Sequence, residues 1–258
     1  MDETVRKWDG EASAFQGAFK RGQNEYNAAL MAFLKEECGL APGCRVLDIG
    51  CGVGKYGAYL AAMGCSVTLT DISPKMLEFA EKNLSEAGGS WCTVCGDWRD
   101  VPTVGPAFAN KFDLAISTMS PAVCDVQTVE KMSAVTDGWC FATRFYKWDE
   151  PVRDEFLRRL GLPEKPGGRD LEKDCGELIR AVSAADFTPL VKYADYDWCD
   201  VRTPRESAER FLSRYFDGEP GEEVRAAAIE VANDMAGSGP ISDAVRAKVA
   251  WIYWTTRI

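Results

Sequence analysis

The chain of 258 residues carries 40 acidic and 30 basic side chains, so its formal net charge is −10, and it contains no histidine. The apolar fraction of 46% supplies a core, and the length favours one α/β domain with additions over two full domains. Proteins that bind phosphate backbones carry clustered Lys and Arg, whereas here they occur singly or in pairs. These features exclude nucleic acid as a favoured partner.

The first residues, Met1-Asp2-Glu3, have the wrong charge for a secretory leader, and no apolar run approaches membrane length. We therefore expect a cytoplasmic protein whose ten cysteines remain thiols. Cys92 and Cys95 form a CxxC pair, but a second pair and histidine are both missing from the sequence. We expect no metal, and we interpret the pair as strand packing.

The first half of the chain predicts helices and strands in alternation. Apolar spacing over residues 10–38 predicts one or two helices before the first strand. The predicted strands are Arg45–Ile49, Ser66–Thr70, Ser90–Val94, Phe112–Ser117 and Trp139–Phe145, and the predicted helices are Lys55–Met63, Ser73 to about Ala87, and Val126–Val135. This alternation predicts a parallel sheet with right-handed crossovers.

After Trp148 the pattern becomes mainly helical. The predicted helices are Val152–Leu160, Leu171–Ala184, Ser207–Phe216 and Glu222–Met235, with strands at Leu190–Tyr196 and Val245–Thr255 and loops at 161–168 and 217–221. We predict an N-terminal helical cap over residues 1–43 and an α/β domain over 44–258. Lid-forming helical insertions are expected in that domain at about 150–187 and 204–240.

The strongest motif is Val46–Gly54, which reads VLDIGCGVG and is followed by Asp71, 21 residues after Gly50. Glycines lack a Cβ atom, so the backbone can approach a ligand at the carboxyl end of the first strand. An acid at the position of Asp71 can accept hydrogen bonds from both hydroxyls of a ribose. Asp48 can organise the loop and, through water, a ligand ammonium group.

Two other glycine motifs do not fit this loop. The dinucleotide pattern GxGxxG fails because Lys55 stands at its last position. The phosphate-loop pattern GxxxxGK[ST] fails because Tyr56 follows Gly54-Lys55 and Ile49 occupies the upstream glycine position. A glycine turn without a ligand is the remaining alternative, and the two flanking acids argue against it.

The segment from Val46 to Asp71 resembles the first motifs of class I S-adenosylmethionine-dependent methyltransferases. The resemblance implies a Rossmann-like, mostly parallel seven-stranded sheet with an antiparallel last strand. It also implies a cofactor site. In that family the glycine loop, here Gly50, Cys51, Gly52 and Gly54, holds the methionine portion of the cofactor. The acid ending the second strand, here Asp71, binds the ribose, and the residue after it, here Ile72, packs on adenine together with Met76.

Two later segments are similar to further motifs of the family. In Gly96-Asp97-Trp98 the resemblance implies that Asp97 accepts from the adenine amino group and that Trp98 covers the ring. In Phe112–Ser117 it implies a fourth strand whose end, at Ser117, lies under the sulfonium. One departure is informative: the Asn/Asp-Pro-Pro-aromatic stretch of amide and base N-methyltransferases reads Thr118-Met119-Ser120-Pro121-Ala122-Val123 here. We therefore do not expect methylation of amide or base nitrogen.

The sequence does not identify the acceptor or a catalytic residue. Without histidine, a base would be a group such as Asp125, Tyr26 or Tyr146, and each of these is more readily explained as structural. Pro121, Tyr26 and Tyr146 are the candidate substrate contacts. The aromatic residues Trp8, Phe15, Tyr26, Tyr146, Trp148, Tyr196 and Trp198 could line a pocket, although core packing is the favoured interpretation.

The expected function is methyl transfer from S-adenosylmethionine to a small molecule. The alternatives are a protein or RNA methyltransferase and a non-catalytic cofactor-binding regulator. Residues 8–34 keep an apolar face, which we expect to cover the glycine loop as a lid that opens for cofactor exchange. Bound S-adenosylhomocysteine should then slow tryptic cleavage at Lys20-Arg21, at Lys35 and around Lys165–Arg169. A helix docked permanently on the back of the sheet predicts no such dependence.

Overall fold

A computed structural model describes residues 2–20, 25–164, 170–216 and 218–257. Arg21 and residues 165–169, named above as cleavage sites, lie outside these ranges, as do part of the predicted loop 161–168 and the first residue of the predicted loop 217–221. In chain order the elements are α1 Glu3–Lys20, α2 Glu25–Glu37, β1 Arg45–Ile49, α3 Lys55–Ala62, β2 Ser66–Asp71, α4 Pro74–Ala87, β3 Ser90–Cys95, a 3-10 turn Pro106–Phe108, β4 Phe112–Thr118, α5 Val126–Ala134, β5 Thr136–Asp149, α6 Pro151–Leu160, α7 Leu171–Ala184, β6 Leu190–Asp195, β7 Trp198–Arg202, α8 Pro204–Tyr215, α9 Glu222–Ala236 and β8 Ile241–Thr255.

Local sequence signals explain where these helices begin and end. The Ser73 hydroxyl accepts a hydrogen bond from the Met76 amide at 3.1 Å, and Pro74 occupies the first turn of α4. The same helix ends at Gly88, whose positive φ of 78° suits a residue without a Cβ atom. The predicted starts of α4 and α5 are confirmed within one residue.

The strands form one sheet with the order β3-β2-β1-β4-β5-β8-β6. Neighbouring strands from β3 to β5 are parallel, and β7 pairs with β8 in antiparallel fashion. The described sheet has eight strands, one more than the seven predicted, and the predicted Rossmann-like, mostly parallel architecture is confirmed. The strand β7 was not predicted, because its five residues carry too short an alternation to stand out.

The strand order reverses direction beside β1, because the chain adds β2 and β3 on one side and β4 and β5 on the other. Asp48 lies in register with Leu69 of β2 and Ile116 of β4. In open parallel sheets, ligands bind at such a switch point, outside the carboxyl ends of the strands. The carboxyl ends of β1, β2 and β4 therefore form the edge where a site is expected.

Residue contacts divide the chain into two units. Unit 1 comprises the described parts of Met1–Arg144, Lys173–Ala194 and Ala250–Ile258, and it contains β1 to β4 with α1 to α5. Unit 2 comprises the described parts of Phe145–Glu172 and Asp195–Val249. The predicted cap over 1–43 and the insertions at about 150–187 and 204–240 stay predictions about which parts cover a ligand.

Each unit has its own apolar core. In unit 1 the strand residues Val46, Leu47, Ile49 and Leu114 are almost completely buried. In unit 2 the helices α6, α8 and α9 pack through Phe156, Phe211, Leu212, Ala228 and Ala232. Among the described residues, none of the helices has the length and apolar character needed to cross a membrane.

Candidate functional site

The glycine loop between β1 and α3 has left-handed backbone conformations that glycine adopts without strain. The φ angles are 66° at Gly50, 55° at Gly52 and 75° at Gly54. The amides of Gly50 and Cys51 donate to the carbonyl of Thr70 at 2.8 and 3.0 Å. These two bonds fasten the loop to the end of β2.

The three glycines meet different surroundings. A Cβ atom on Gly50 would lie 1.9 Å from the Ser120 hydroxyl oxygen, and one on Gly54 would lie 2.7 Å from Leu84. A Cβ atom on Gly52 would meet only the sulfur of Met76, at 4.0 Å. Gly50 and Gly54 are therefore required by packing, whereas the backbone at Gly52 faces space that a ligand can enter.

Asp71 ends β2 and connects the glycine loop to the start of α4. Its Oδ2 accepts from the amide of Gly52 at 2.8 Å, and its Oδ1 accepts from the amide of Ser73 at 2.9 Å. Burial raises the pKa of Asp71 above its ordinary value, although these two amides and that of Ile72 oppose the shift. The nearby carboxylate of Asp9 adds to the rise.

Asp48 lies at the carboxyl end of β1 and is fully buried. Burial, and then the charge of Asp71, raises the pKa of Asp48 to about 7, while the Gly57 backbone lowers it in part. The Gly57 amide lies nearby, but neither carboxyl oxygen has a hydrogen bond of good geometry with a described donor. A buried acid without a donor is stabilised by a cation or by water, so this carboxyl suits a ligand that carries positive charge.

Other groups at the same edge also lack partners. Within the described chain, the hydroxyl oxygens of Thr70 and Ser117 are buried without a hydrogen bond. Cys51 contacts the Gly52 carbonyl through its sulfur at 3.4 Å, and burial, followed by Asp48 and Asp71, raises the pKa of its thiol. Unsatisfied polar groups beside an open backbone fit a polar, cationic ligand such as S-adenosylmethionine.

The predicted adenine contacts lie on the adjoining elements. Ile72 is half-buried and Met76 is buried, both at the start of α4. Asp97 is half-buried after β3, and its carboxylate accepts from the Arg99 amide at 2.9 Å. Trp98 is buried, and its indole N–H donates to the carbonyl of Thr128 at 3.2 Å. All four belong to unit 1, and their roles towards adenine stay predictions.

Helix α1 packs against the glycine loop and α4. Ala12 forms a small buried cluster with Val53 and Met76. The Gln16 and Asn83 amides exchange two hydrogen bonds of 2.9 and 2.8 Å, and Asn83 also donates to the Val53 carbonyl at 2.8 Å. These contacts place α1 beside the loop, where the sequence predicted a cover.

Asp9 adds hydrogen bonds between α1 and the start of α4. Its carboxylate accepts from the Ser73 hydroxyl at 2.6 Å and from the Lys75 amide at 3.3 Å, at the start of α4. We did not predict Asp9, Gln16 or Asn83 as part of the site. The signal was present, because residues 9, 12 and 16 recur at helical spacing and combine polar groups with a small apolar one.

The residue directly after β4 has a strained backbone, and we did not predict it as part of the site. Met119 has a φ of 53°, a left-handed conformation that is unusual for a residue with a side chain. Its amide donates to the Thr143 hydroxyl at 2.9 Å, and the next residue, Ser120, packs against Gly50. No local sequence signal marks this turn, because the packing of β5 and the loop imposes it.

The candidate base Asp125 has a structural role. Asp125 caps α5 through Thr128 and pairs with Arg99 at 2.6 Å. Burial raises the pKa of Asp125, but the Thr128 bonds and the Arg99 pair outweigh it and lower the pKa overall. A carboxylate with a lowered pKa is a weak base, so the capping role explains this residue.

The remaining candidates have different surroundings. Tyr26 is buried in unit 1, and its hydroxyl accepts from the Trp251 indole at 3.0 Å. Pro121 is exposed after Ser120, in the loop that contacts Gly50. Tyr146 is half-buried on β5 and belongs to unit 2. Among the described residues, no three Cys, Asp or Glu side chains are grouped as a metal site would require.

Comparisons with known proteins agree with this geometry. Residues 46–138 match a family model described as a methyltransferase domain. The malonyl-(acyl-carrier protein) O-methyltransferase of Erwinia pyrifoliae is 34% identical over 214 residues, covering 76% of this chain and 74% of that protein. The magnesium-protoporphyrin O-methyltransferase of Rhodobacter capsulatus is 32% identical over 98 residues, covering 38% of this chain. The chain spans 42% of the length of that second relative.

One solved structure has a similar fold. The crystal structure of the 4+2 cyclase SpnF aligns with a TM-score of 0.58 and 18% identity, covering 99% of this chain and 96% of that one. At this identity the likeness concerns the fold alone. The matched family model, the Erwinia relative and the geometry of the glycine loop lead to one conclusion. The chain belongs to the class I S-adenosylmethionine-dependent methyltransferases.

Proposed function

We propose that the chain transfers a methyl group from S-adenosylmethionine to a small-molecule acceptor. The observation that carries the proposal is the edge formed by Gly52, Asp48 and Asp71, where open backbone lies beside two buried acids. Support comes from relatives named as O-methyltransferases of malonyl-(acyl-carrier protein) and magnesium protoporphyrin.

In this proposal the described residues bind and orient the cofactor. Asp48, with its pKa near 7 and no donor, faces the positive charge of the ligand. Asp71 exchanges its bond to the Gly52 amide for ribose hydroxyls, and Asp97 accepts from adenine. Gly50, Cys51, Gly52 and Gly54 form the loop, Ile72, Met76 and Trp98 supply apolar contacts, and Ser117 adds a hydroxyl at the end of β4.

The bound cofactor supplies an activated methyl group on a sulfonium, which an acceptor displaces in line. Such a displacement depends on alignment and on exclusion of water, and a base is needed only when the acceptor must lose a proton. The contacts of α1 with Val53 and Met76 suit it to exclude water. We propose that the acceptor is met by the turn at Met119, whose backbone is strained, and by the exposed Pro121.

The experiment uses S-adenosylmethionine labelled in its methyl group, incubated with the protein and separated fractions of a cell extract. We expect label in the small-molecule fraction with wild type, and a large reduction with Asp71→Ala. Label in protein or RNA would show that the acceptor is a macromolecule and not a small molecule. Cofactor binding without label in any fraction would favour the regulatory alternative.

We also propose a cytoplasmic location. The ten cysteines, all free thiols in the structure, are the support for it, because a reducing compartment keeps thiols unpaired. Cell fractionation followed by detection of the protein tests this statement directly.

A further inference from the structure

Unit 2 contains a cavity that the methyl-transfer proposal does not use. Its volume is about 140 Å³, close to that of protein cavities that hold a single small ring compound. It is lined by Glu150, Val152, Arg153, Phe156, Ser207, Arg210, Phe211, Arg214, Tyr215 and Asp243, all of them in unit 2. None of these residues is among the predicted cofactor contacts.

One face of α8 supplies most of the polar lining. Ser207, Arg210, Phe211 and Arg214 follow each other at the spacing i, i+3, i+4 and i+7, which places them on one side of a helix. The helix begins with a reciprocal capping box between Thr203 and Glu206. The cap stabilises the helix backbone from which these side chains extend.

Among the described residues, the guanidinium of Arg210 makes only two long ion pairs, with carboxylates that line the cavity. Its nearest carboxylate atoms are Asp243 Oδ2 at 3.3 Å from Nε and Glu150 Oε1 at 4.0 Å from Nη2, and neither contact is a hydrogen bond. Each of these carboxylate oxygens is shared with a closer arginine, Asp243 Oδ2 with Arg202 at 2.5 Å and Glu150 Oε1 with Arg214 at 2.6 Å. The Arg210 side chain is 33% exposed, so its guanidinium is accessible to a ligand that enters the cavity.

The charges around Arg210 favour an added anion. Burial, and then the neighbouring Arg202 and Arg214, lowers the pKa of its guanidinium, although Asp243 and Glu150 oppose that shift. A guanidinium remains protonated at neutral pH in any case. An anion beside it would relieve the repulsion from the neighbouring arginines.

Ser207 provides an unsatisfied group in the same cavity. The residue is 2% exposed, and its hydroxyl oxygen forms no hydrogen bond with any described atom. A serine inside a helix ordinarily points to water or bonds to the carbonyl four residues earlier. A buried hydroxyl that does neither, one helical turn from Arg210, indicates a ligand group.

The aromatic side of the cavity limits the kind of ligand that it can bind. Phe156 and Phe211 stack at 4.7 Å between ring centroids, and Phe211 and Tyr215 stack at 5.5 Å. Glu150 and Asp243 repel a doubly charged phosphate more strongly than a singly charged group. A planar carboxylate matches the fork of a guanidinium, and an attached apolar ring matches the aromatic wall.

We propose that the cavity of unit 2 binds a small monocarboxylate with an apolar body, held by the Arg210 guanidinium and the Ser207 hydroxyl. The carboxylate would accept from the Nη groups of Arg210 and from Ser207. Its ring would pack against Phe156 and Phe211. The site requires neither cofactor nor methyl transfer, so it stands apart from the proposed function.

The test is a calorimetric titration of the full chain, without cofactor, with sodium benzoate at constant ionic strength. We expect saturable binding, weakened at least about tenfold by Arg210→Gln, as loss of a charged bidentate contact predicts. Arg158→Gln is the control, because Arg158 belongs to the same unit, is 67% exposed and pairs with Glu155 outside the cavity. It should bind benzoate as wild type does.

The variant Ser207→Ala tests benzoate binding independently of protein stability. Because the hydroxyl has no partner, its removal should leave the melting temperature unchanged or raised, yet weaken benzoate severalfold. The proposal is overturned if wild type shows no saturable benzoate binding, or if both variants bind as wild type does. Tighter Arg210-dependent binding of inorganic phosphate would overturn the assignment to carboxylates.

Discussion

At Asp48, a buried carboxyl group that suits ligand binding lowers the stability of the fold. A carboxyl with a pKa near 7 and no hydrogen-bond donor is destabilising once it ionises. The folded protein without ligand therefore carries a cost at neutral pH. A cation placed beside Asp48 would remove that cost, which makes this residue a driving force for binding the cofactor.

This cost predicts a pH-dependent effect of Asp48→Asn. The folded pKa of about 7 lies above the unfolded value near 3.9, so the folded state binds the proton more tightly. The resulting stability is fully present below the unfolded pKa and is lost as pH rises through the folded pKa. Relative to wild type, the variant should therefore gain about 2 kcal/mol more in urea unfolding at pH 8 than at pH 5. An equal difference at both pH values would mean that Asp48 is not buried as described.

Gly50 offers a second test at the scale of one residue, with Gly39 as a matched control. Both have left-handed φ angles, 66° and 69°, but a Cβ atom on Gly39 meets nothing within 4 Å. Gly39→Ala should cost about 1 kcal/mol in unfolding free energy and leave cofactor affinity unchanged. Gly50→Ala should cost at least twice as much, because its methyl group overlaps Ser120, and it should weaken S-adenosylhomocysteine binding. Equal costs for the two variants would contradict the packing of Ser120 on the loop.

At the scale of elements, α1 connects the glycine loop to α4 through few but specific contacts. The amide pair of Gln16 and Asn83, the bond from Asn83 to Val53, and the Asp9 contacts with α4 fasten it. Ala12 of this helix is buried in a small cluster with Val53 and Met76, and Trp8 and Phe19 pack against that cluster while remaining partly exposed. An element whose large apolar side chains stay partly exposed opens at lower free energy than a fully buried one, so a bound ligand can control it.

The corresponding prediction concerns limited proteolysis. Trypsin should cut after Lys20 and Lys35 more slowly with S-adenosylhomocysteine bound than without it. Asn83→Ala removes three hydrogen bonds between α1, α4 and the loop, and it should speed cleavage severalfold and accelerate ligand release. Asn233→Ala, at an exposed position of α9, is the control. Cleavage rates that do not respond to ligand would show that α1 is permanently docked.

For the whole molecule, the features that depend on local sequence were predictable. The bounds of β1 and α7 are as predicted, because a short apolar run and a helical repeat each end at clear signals. The glycine loop, Asp48 and Asp71 meet at one edge because parallel strands bring their carboxyl ends together. This part of the candidate site follows from the pattern alone.

Features that depend on distant contacts were not predictable. The strand β7 exists through its pairing with β8, more than 35 residues later, and β5 and β8 extend beyond their predicted starts or ends. The turn at Met119 depends on Thr143, and the place of α1 depends on Asn83. Asp125, considered as a base, proved to be a helix cap because Thr128 and Arg99 engage its carboxylate.

The most direct test of the central claim is a calorimetric titration with S-adenosylhomocysteine. We expect one binding site per chain in wild type, and a loss of roughly 1.5–3 kcal/mol of binding free energy in Asp71→Ala, the usual cost of losing charged hydrogen bonds. The exposed Asp100→Ala serves as control and should bind as wild type does. Absence of binding to wild type, or equal affinity of wild type and Asp71→Ala, would contradict the assignment of the cofactor site.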